Sequence, residues 1–162
     1  MSFSSCNFNH SRGDSQDAVY RMDTFVIANI FTNRIELFDK NSGEFKHIQL
    51  NPKESMRFDL IPESTGNSVH WDLSTPYQFR DVILTNNLII SLYGGFSQNQ
   101  INETSELAKT VYIFDLNGTL KAKLNLNHSI RSLAVSEDLT KLYGITTDSE
   151  PGIVEFDIPS LD

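Results

Sequence analysis

Three segments of this chain share nearly the same pattern, and this internal repetition constrains the fold more than any other feature. In each segment a run of alternating apolar residues ends in Phe-Asp, and in the first two a turn with glycine and a second alternating run follow. Such self-similarity is typical of repeat proteins. It favours a scaffold that presents loops over a fold built around one catalytic motif. The segments are RIELFDKNSGEFKHIQL (34–50), TVYIFDLNGTLKAKLNL (110–126) and GIVEFDIPSLD (152–162).

Period-two alternation and β-branched or aromatic runs occur along most of the chain, and this predicts an all-β fold. The segment 51–77 interrupts the pattern with three prolines and a Ser-Thr-Gly-Asn cluster, so we expect a long connection there with one short strand at 56–60. The segment 94–109 is predicted to be a long polar loop. The other predicted strands are 24–30, 34–39, 44–50, 79–84, 88–93, 110–115, 119–126, 130–135, 141–146 and 153–158.

The predicted strands group into sets of four with the size of a β-propeller blade, about 40 to 50 residues. We therefore expect residues 1–162 to form one domain, a partial β-propeller of about three four-stranded antiparallel blades. The blades would span about 12–50, 78–126 and 129–162, with the connection 51–77 between the first two. A blade cannot bury both of its faces alone, so it must pack against its neighbours.

Composition excludes several classes of function. The net charge of −8 argues against nucleic-acid binding, which requires a basic face. The single cysteine, Cys6, excludes an intrachain disulfide and a thiolate metal site. No apolar run is long enough for a transmembrane helix, so membrane insertion is not expected. The N-terminal residues also lack the pattern of a signal peptide.

Residues 77–157 resemble the C-terminal half of the TolB-like six-bladed β-propeller family of Bacteroides-type bacteria. The matching segments are LIISLYGG (88–95), VYIFDLNGTLKAKLNL (111–126), IRSLAVSEDLTKLYGITTD (130–148) and IVEFDI (153–158), while 24–50 matches more loosely. The resemblance implies a location in the cell envelope or periplasm and supplies no catalytic motif. A cytoplasmic location stays open, since the chain carries no signal peptide.

Family members are about twice as long as this chain, so three blades would form half a ring. An open half ring exposes apolar blade faces and sheet edges. A homodimer, or another propeller half, would close the ring to six blades. Residues 2–9 would supply the missing outer strand of the third blade. The alternative is a fragment without an independent role.

Five residues are the candidates for ligand contact. Arg80 and Arg131 occupy matching positions at the start of the predicted innermost strands, where two guanidinium groups would hold a carboxylate or phosphate. Their alternative role is ion pairing with local acids such as Asp81 or Glu137. The aromatic candidates suit a sugar or peptide, or else they pack against neighbouring blades. They are Tyr93, Phe96 and Trp71.

The sequence thus predicts a non-catalytic binding or scaffold module for a protein or glycan ligand. We expect no catalytic residues, no metal site and no cofactor, because nucleophile-elbow, phosphate-loop and dinucleotide motifs are absent and the four histidines lack metal-ligand spacing. The alternative function is a metal-dependent hydrolase of lactonase type. That alternative requires acidic side chains at the strand starts, directed into a central channel.

Overall fold

The computed structural model describes residues 23–50 and 58–161, which form antiparallel strands and one short helix. The elements follow in chain order. They are β1 Thr24–Ala28, β2 Arg34–Asp39, β3 Phe45–Gln49, β4 Phe58–Glu63, β5 Gly66–Trp71, β6 Phe79–Leu84, β7 Leu88–Tyr93, α1 Gln98–Thr104, β8 Thr110–Asp115, β9 Leu120–Asn125, β10 Ile130–Val135, β11 Lys141–Thr146 and β12 Ile153–Asp157.

The strands form three stacked sheets and a separate hairpin. The first sheet has the order β1-β2-β3, the middle sheet β6-β7-β8-β9 and the third sheet β10-β11-β12, while β4 and β5 pair only with each other. Every pairing is antiparallel between strands adjacent in sequence. The all-β prediction is therefore confirmed. The sheets do not close into a ring, which is the arrangement expected of a partial propeller.

The Phe-Asp repeat establishes which strands correspond. It ends β2, β8 and β12, so these are equivalent third strands, and β1, β7 and β11 are equivalent second strands. β6 and β10 are then the first strands of the middle and third sheets. The equivalent position in the first sheet precedes Thr24 and lies outside the described residues. The segment 2–9, expected to supply an outer strand, lies outside them as well.

The middle sheet is buried on both faces, and β7 shows how its sequence achieves this. Alternate residues on a strand point to opposite faces. Leu88, Ile90 and Leu92 pack in a cluster with the third sheet, while Ile89 packs in a second cluster that includes Ile35 of the first sheet. A strand buried on both faces needs a continuous apolar run rather than an alternating one. Fully burying each of these side chains contributes about 1.5–3 kcal/mol.

The segment between the first two sheets contains a hairpin, where one short strand at 56–60 was expected. β4 and β5 pair from Phe58 opposite Trp71 to Glu63 opposite Gly66, with a two-residue turn between them. The sequence did not predict the whole of β4, because it contains Pro62 and proline is tolerated in a strand only at an edge. Residues 56 and 57 lie outside the described part.

The expected polar loop 94–109 contains the helix α1. Its start is a capping box, in which the Ser97 hydroxyl accepts the Gln100 N–H and the Gln100 side chain accepts the Ser97 N–H. The Ser-x-x-Gln pattern is the signal that this prediction missed. The helix has seven residues, too few for apolar periodicity to reveal it.

A glycine turn follows the Phe-Asp pair in the first two repeats, as the sequence predicted. Gly43 and Gly118 have φ of 69° and 88°, the left-handed region that glycine favours. The Asp115 carboxylate accepts the Asn117 and Thr119 N–H groups, and these bonds hold its pKa below the ordinary value. In the third repeat, the Asp157 carboxylate accepts a hydrogen bond from Lys141 Nζ at 2.7 Å.

Candidate functional site

The three longest connections all lie at the same end of the stacked sheets. The pairs Tyr93–Thr110 and Ile145–Ile153 place the connections 94–109 and 147–152 between second and third strands. Phe79 lies opposite Tyr93, so the connection 50–78 reaches β6 at the end where 94–109 begins. The connections 50–78, 94–109 and 147–152 therefore share one end, which we call the long-loop end. Among the described residues, the opposite end carries turns of three to five residues at 40–44, 85–87, 116–119 and 136–140. Binding residues concentrate on long loops held by a rigid scaffold.

Aromatic side chains form a row at the long-loop end that finishes on an arginine. Trp71 stacks on Phe31 with ring centroids 4.6 Å apart and planes within 4°. Phe31 in turn lies 5.9 Å from the Tyr77 ring, and Arg80 Cζ lies 4.6 Å from the centroid of that ring. We call Trp71, Phe31, Tyr77 and Arg80 the aromatic–arginine row. A guanidinium over an aromatic face is stabilised electrostatically.

The backbone around Arg80 encloses its side chain. A Cβ atom on Gly94 would come within 3.3 Å of Arg80 Nε and 2.9 Å of the Tyr77 carbonyl oxygen, so only glycine fits beside this arginine. Arg80 Nε is buried without a hydrogen-bond partner. Desolvation lowers the pKa of Arg80, although an arginine remains charged. Within residues 23–50 and 58–161, Arg80 has no ion-pair partner.

Asp81, one of the acids expected to pair with Arg80, serves the packing of the sheets instead. Its two carboxylate oxygens accept the N–H groups of Val82 and Leu133, each at 2.9 Å. The second bond joins β6 to β10. Asp81 is the acidic residue nearest the start of β6, where the hydrolase alternative requires inward-pointing carboxylates, and its oxygens are engaged by the backbone.

Arg131 occupies the position on β10 that Arg80 occupies on β6. Each is the second residue of its strand, and each lies at a register irregularity. The Arg131 side chain is exposed. Within the described ranges it forms no ion pair. The structure therefore places the two arginines on adjacent first strands and packs only Arg80 against an aromatic ring.

Tyr93 and Phe96, the two aromatic candidates outside the aromatic–arginine row, make contacts within the fold. Tyr93 packs edge-on between Phe79 and Tyr112, with centroid distances of 5.8 and 5.6 Å, in the core beside the first sheet. Phe96 is half-buried, and its carbonyl oxygen accepts the Tyr77 N–H at 3.0 Å. Trp71 is the more accessible of the three, with 42% of its surface exposed.

Sequence reasoning missed Phe31, Tyr77 and Gln98 as members of this site. The Tyr77 hydroxyl donates to Gln98 Oε1 at 2.8 Å, which ties helix α1 to the aromatic–arginine row. Phe31 follows the first strand and Tyr77 precedes β6. An aromatic residue within three positions of a strand end was the available signal, but only the fold brings the two together.

A polar cleft of about 410 Å³ opens at the long-loop end between the middle and third sheets. The Ser129 hydroxyl supports its floor by accepting the N–H groups of Leu107 and Ala108. An ion pair between Lys109 and Glu106 lies on its wall. In the part of the chain that the structure describes, no group of three His, Cys, Asp or Glu side chains is placed to hold a metal ion. The cleft is lined by Thr104, Ser105, Glu106, Lys109, Asn127, His128, Ser129, Thr147, Asp148 and Ser149.

Comparison with known proteins identifies a family for most of the chain. The family model described as TolB-like 6-blade propeller-like matches residues 16–138. No curated protein matches the chain. Among solved structures it is similar to the Pan2 WD40 domain of Neurospora crassa, with 16% identity and a TM-score of 0.36. That match covers 78% of this chain and 44% of the solved one, so the chain spans less than half of that structure's length.

Proposed function

This chain belongs to the TolB-like six-bladed propeller family, and we propose that it is a non-catalytic binding or scaffold module. Its ligand, a protein or a glycan, contacts the long-loop end. The observation that carries the proposal is the aromatic–arginine row. Three aromatic rings lead to a guanidinium that has no ion-pair partner among the described residues. A ligand with a flat apolar face and a carboxylate or phosphate complements that row.

The setting of the module is part of the same proposal. A second copy of the chain, or another propeller half, completes the six-bladed ring, and the ring works in the envelope of a Bacteroides-type bacterium. The family is described as six-bladed, whereas the described residues form three stacked sheets, and this difference supports a second half. Within the described residues, no helix has the length and apolarity to span a membrane.

Nuclear magnetic resonance tests the ligand site directly. The Nε–H of Arg80 gives its own ¹H–¹⁵N signal, and a trimer of galacturonic acid and a glutamate-rich tripeptide serve as carboxylate probes. We expect at least one of them to shift the signals of Arg80 Nε–H and the Trp71 indole saturably, while neutral cellotriose leaves the Arg80 signal in place.

A matched pair of variants separates the site from general charge. Arg80→Gln should abolish the saturable shift of the Trp71 indole signal. Arg34→Gln, which removes an exposed arginine paired with Glu36 on the first sheet, should leave that shift intact. Equal loss in both variants, or no shift with either acidic probe, would contradict a ligand site at the aromatic–arginine row.

A further inference from the structure

The β4–β5 hairpin exposes apolar side chains that the rest of the described fold does not cover. Phe58, Leu60, Val69 and Trp71 are 52%, 58%, 44% and 42% exposed. A soluble protein rarely leaves such a group in contact with solvent unless it is an interaction site. A two-stranded hairpin is also only marginally stable in water by itself. A partner that covers this surface would therefore stabilise the hairpin.

The register of the hairpin places these apolar residues on one face. Residues directly opposite each other in an antiparallel pair share a face. Phe58 lies opposite Trp71 and Leu60 opposite Val69, so the four form one surface, which we call the apolar hairpin face. The reverse face mixes acidic, polar and apolar residues. It carries Asp59, Ile61, Glu63, Ser68 and His70.

Among the described residues, aromatic packing fixes one end of the apolar hairpin face to the body of the protein. Trp71 stacks on Phe31, and Phe58 packs on Trp71 with centroids 5.5 Å apart. The cleft beside Trp71 has a volume of about 20 Å³, room for roughly one water molecule. A cleft of that size is too small for an organic ligand, and the exposed strand pair suits an extended chain instead.

The negative charge around the hairpin favours a partner that carries positive charge. Residues 58–76 contain three acids and neither lysine nor arginine, and over 51–76 acids outnumber bases four to two. Two copies of this acidic hairpin repel each other, so a contact between two hairpins is disfavoured. Basic residues flanking an apolar stripe complement this surface.

The backbone offers one good edge for strand addition. Among the described strands, β4 and β5 pair only with each other, so no other described strand covers the outer edge of either. Pro62 has no N–H to donate, which blunts the β4 edge. The β5 edge, Gly66–Trp71, contains no proline.

We propose that the β4–β5 hairpin docks an extended protein segment in which apolar and basic residues alternate. The segment adds along the β5 edge, with its apolar side chains on the apolar hairpin face and its basic side chains towards Asp59 and Glu63. This is β-strand addition, in which main-chain bonds supply affinity and alternate side chains supply specificity. The inference rests on the proposal that the long-loop end is the binding end.

Trp71 is the only tryptophan of the chain and lies on the proposed surface, so its fluorescence reports occupancy. The probe is a blocked peptide of about nine residues that alternates valine and lysine, long enough to form a strand. Titrated into the intact chain, it should shift Trp71 emission to the blue and protect it from acrylamide quenching, saturably. Raising the ionic strength from about 0.05 to about 0.5 M should weaken binding.

Variants on the two faces of the hairpin provide the control. Leu60→Ser with Val69→Ser should weaken peptide binding about tenfold, because both apolar contacts are lost. Ile61→Ser, on the reverse face, should leave binding unchanged. All three side chains are exposed, so circular dichroism and the unfolding midpoint should stay as in the wild type. Leu60→Ser alone serves if the double variant unfolds.

Four results would overturn the proposal: no saturable change with the lysine peptide, equal binding of a valine–glutamate peptide, equal loss in Ile61→Ser, or a blue shift that grows with protein concentration without peptide. The last would mean that a second copy occupies the hairpin. The hairpin variants leave Arg80 intact. A negative result with the peptide therefore does not decide the carboxylate-probe experiment, which is judged separately.

Discussion

At the scale of single residues, Gly144 determines how closely β10 and β11 approach the core. A Cβ at this position would lie 2.7 Å from both Ile130 Cδ1 and Ile130 Cγ2 and 3.0 Å from Ile130 Cβ. Ile130 is fully buried, so it has no open space into which to retreat. The absence of a side chain on β11 is what lets a large side chain on β10 pack over it.

Gly144→Ala should therefore destabilise the protein by about 1–3 kcal/mol, the usual cost of forcing extra atoms into a packed core. Urea unfolding followed by circular dichroism measures the difference. Gly152→Ala is the matched control, since its added Cβ would meet nothing closer than Thr146 Oγ1 at 4.0 Å. A Gly144→Ala midpoint equal to that of the control would show that Ile130 adjusts without cost.

At the scale of elements, helix α1 connects the loop between β7 and β8 to the aromatic–arginine row. Its first turn is held by the capping box of Ser97, which is 4% exposed, and its Gln98 accepts the Tyr77 hydroxyl. Seven residues are too few for a helix to be stable alone in water. Its order depends on the cap and on these contacts.

Ser97→Ala should lower the stability of α1 by about 1 kcal/mol, because the Gln100 N–H loses its acceptor. Hydrogen exchange should then accelerate at residues 98–104 more than in the sheets. Ser97→Thr keeps the hydroxyl and should retain most of the protection. Unchanged exchange in Ser97→Ala would mean that the capping bond contributes nothing to this helix.

At the scale of the whole molecule, the first and third sheets each expose apolar side chains on the outer face, the one turned away from the middle sheet. On the first sheet, Ile27 is 55% exposed on the face opposite to the one that packs on the middle sheet. On the third sheet, Ile145 and Ile153 lie opposite each other and are 42% and 80% exposed. Propeller blades normally cover such faces with a neighbouring blade.

Light scattering coupled to size exclusion tests whether a second copy covers them. Ring closure predicts a mass of twice the 18.4 kDa chain. Ile27→Asp and Ile153→Asp, on opposite end faces, should each reduce the mass to that of one chain, because closure pairs one face with the other. Leu120→Asp, an exposed position on the middle sheet, is the control. A single-chain mass for the wild type would contradict closure by homodimerisation.

Local sequence patterns were enough to predict the strands that depend on local physics. Six of them, including β7 and β8, begin and end where alternation and turn chemistry predicted, because a period-two pattern and an Asn-Gly turn act over a few residues. The β4–β5 hairpin and helix α1 were not predicted. Pro62 argues against a strand, and a single capping box is a weaker signal than a repeat.

Which side chains come into contact depends on the packing of the sheets and loops. Arg80 and Arg131 are equivalent in the repeat, yet Arg80 alone lies over an aromatic ring, because Tyr77 and Gly94 approach it from separate parts of the chain. Trp71 and Phe31 are forty residues apart in sequence and stack in space. Contacts of this kind depend on how sheets and loops pack, and no local pattern encodes that packing.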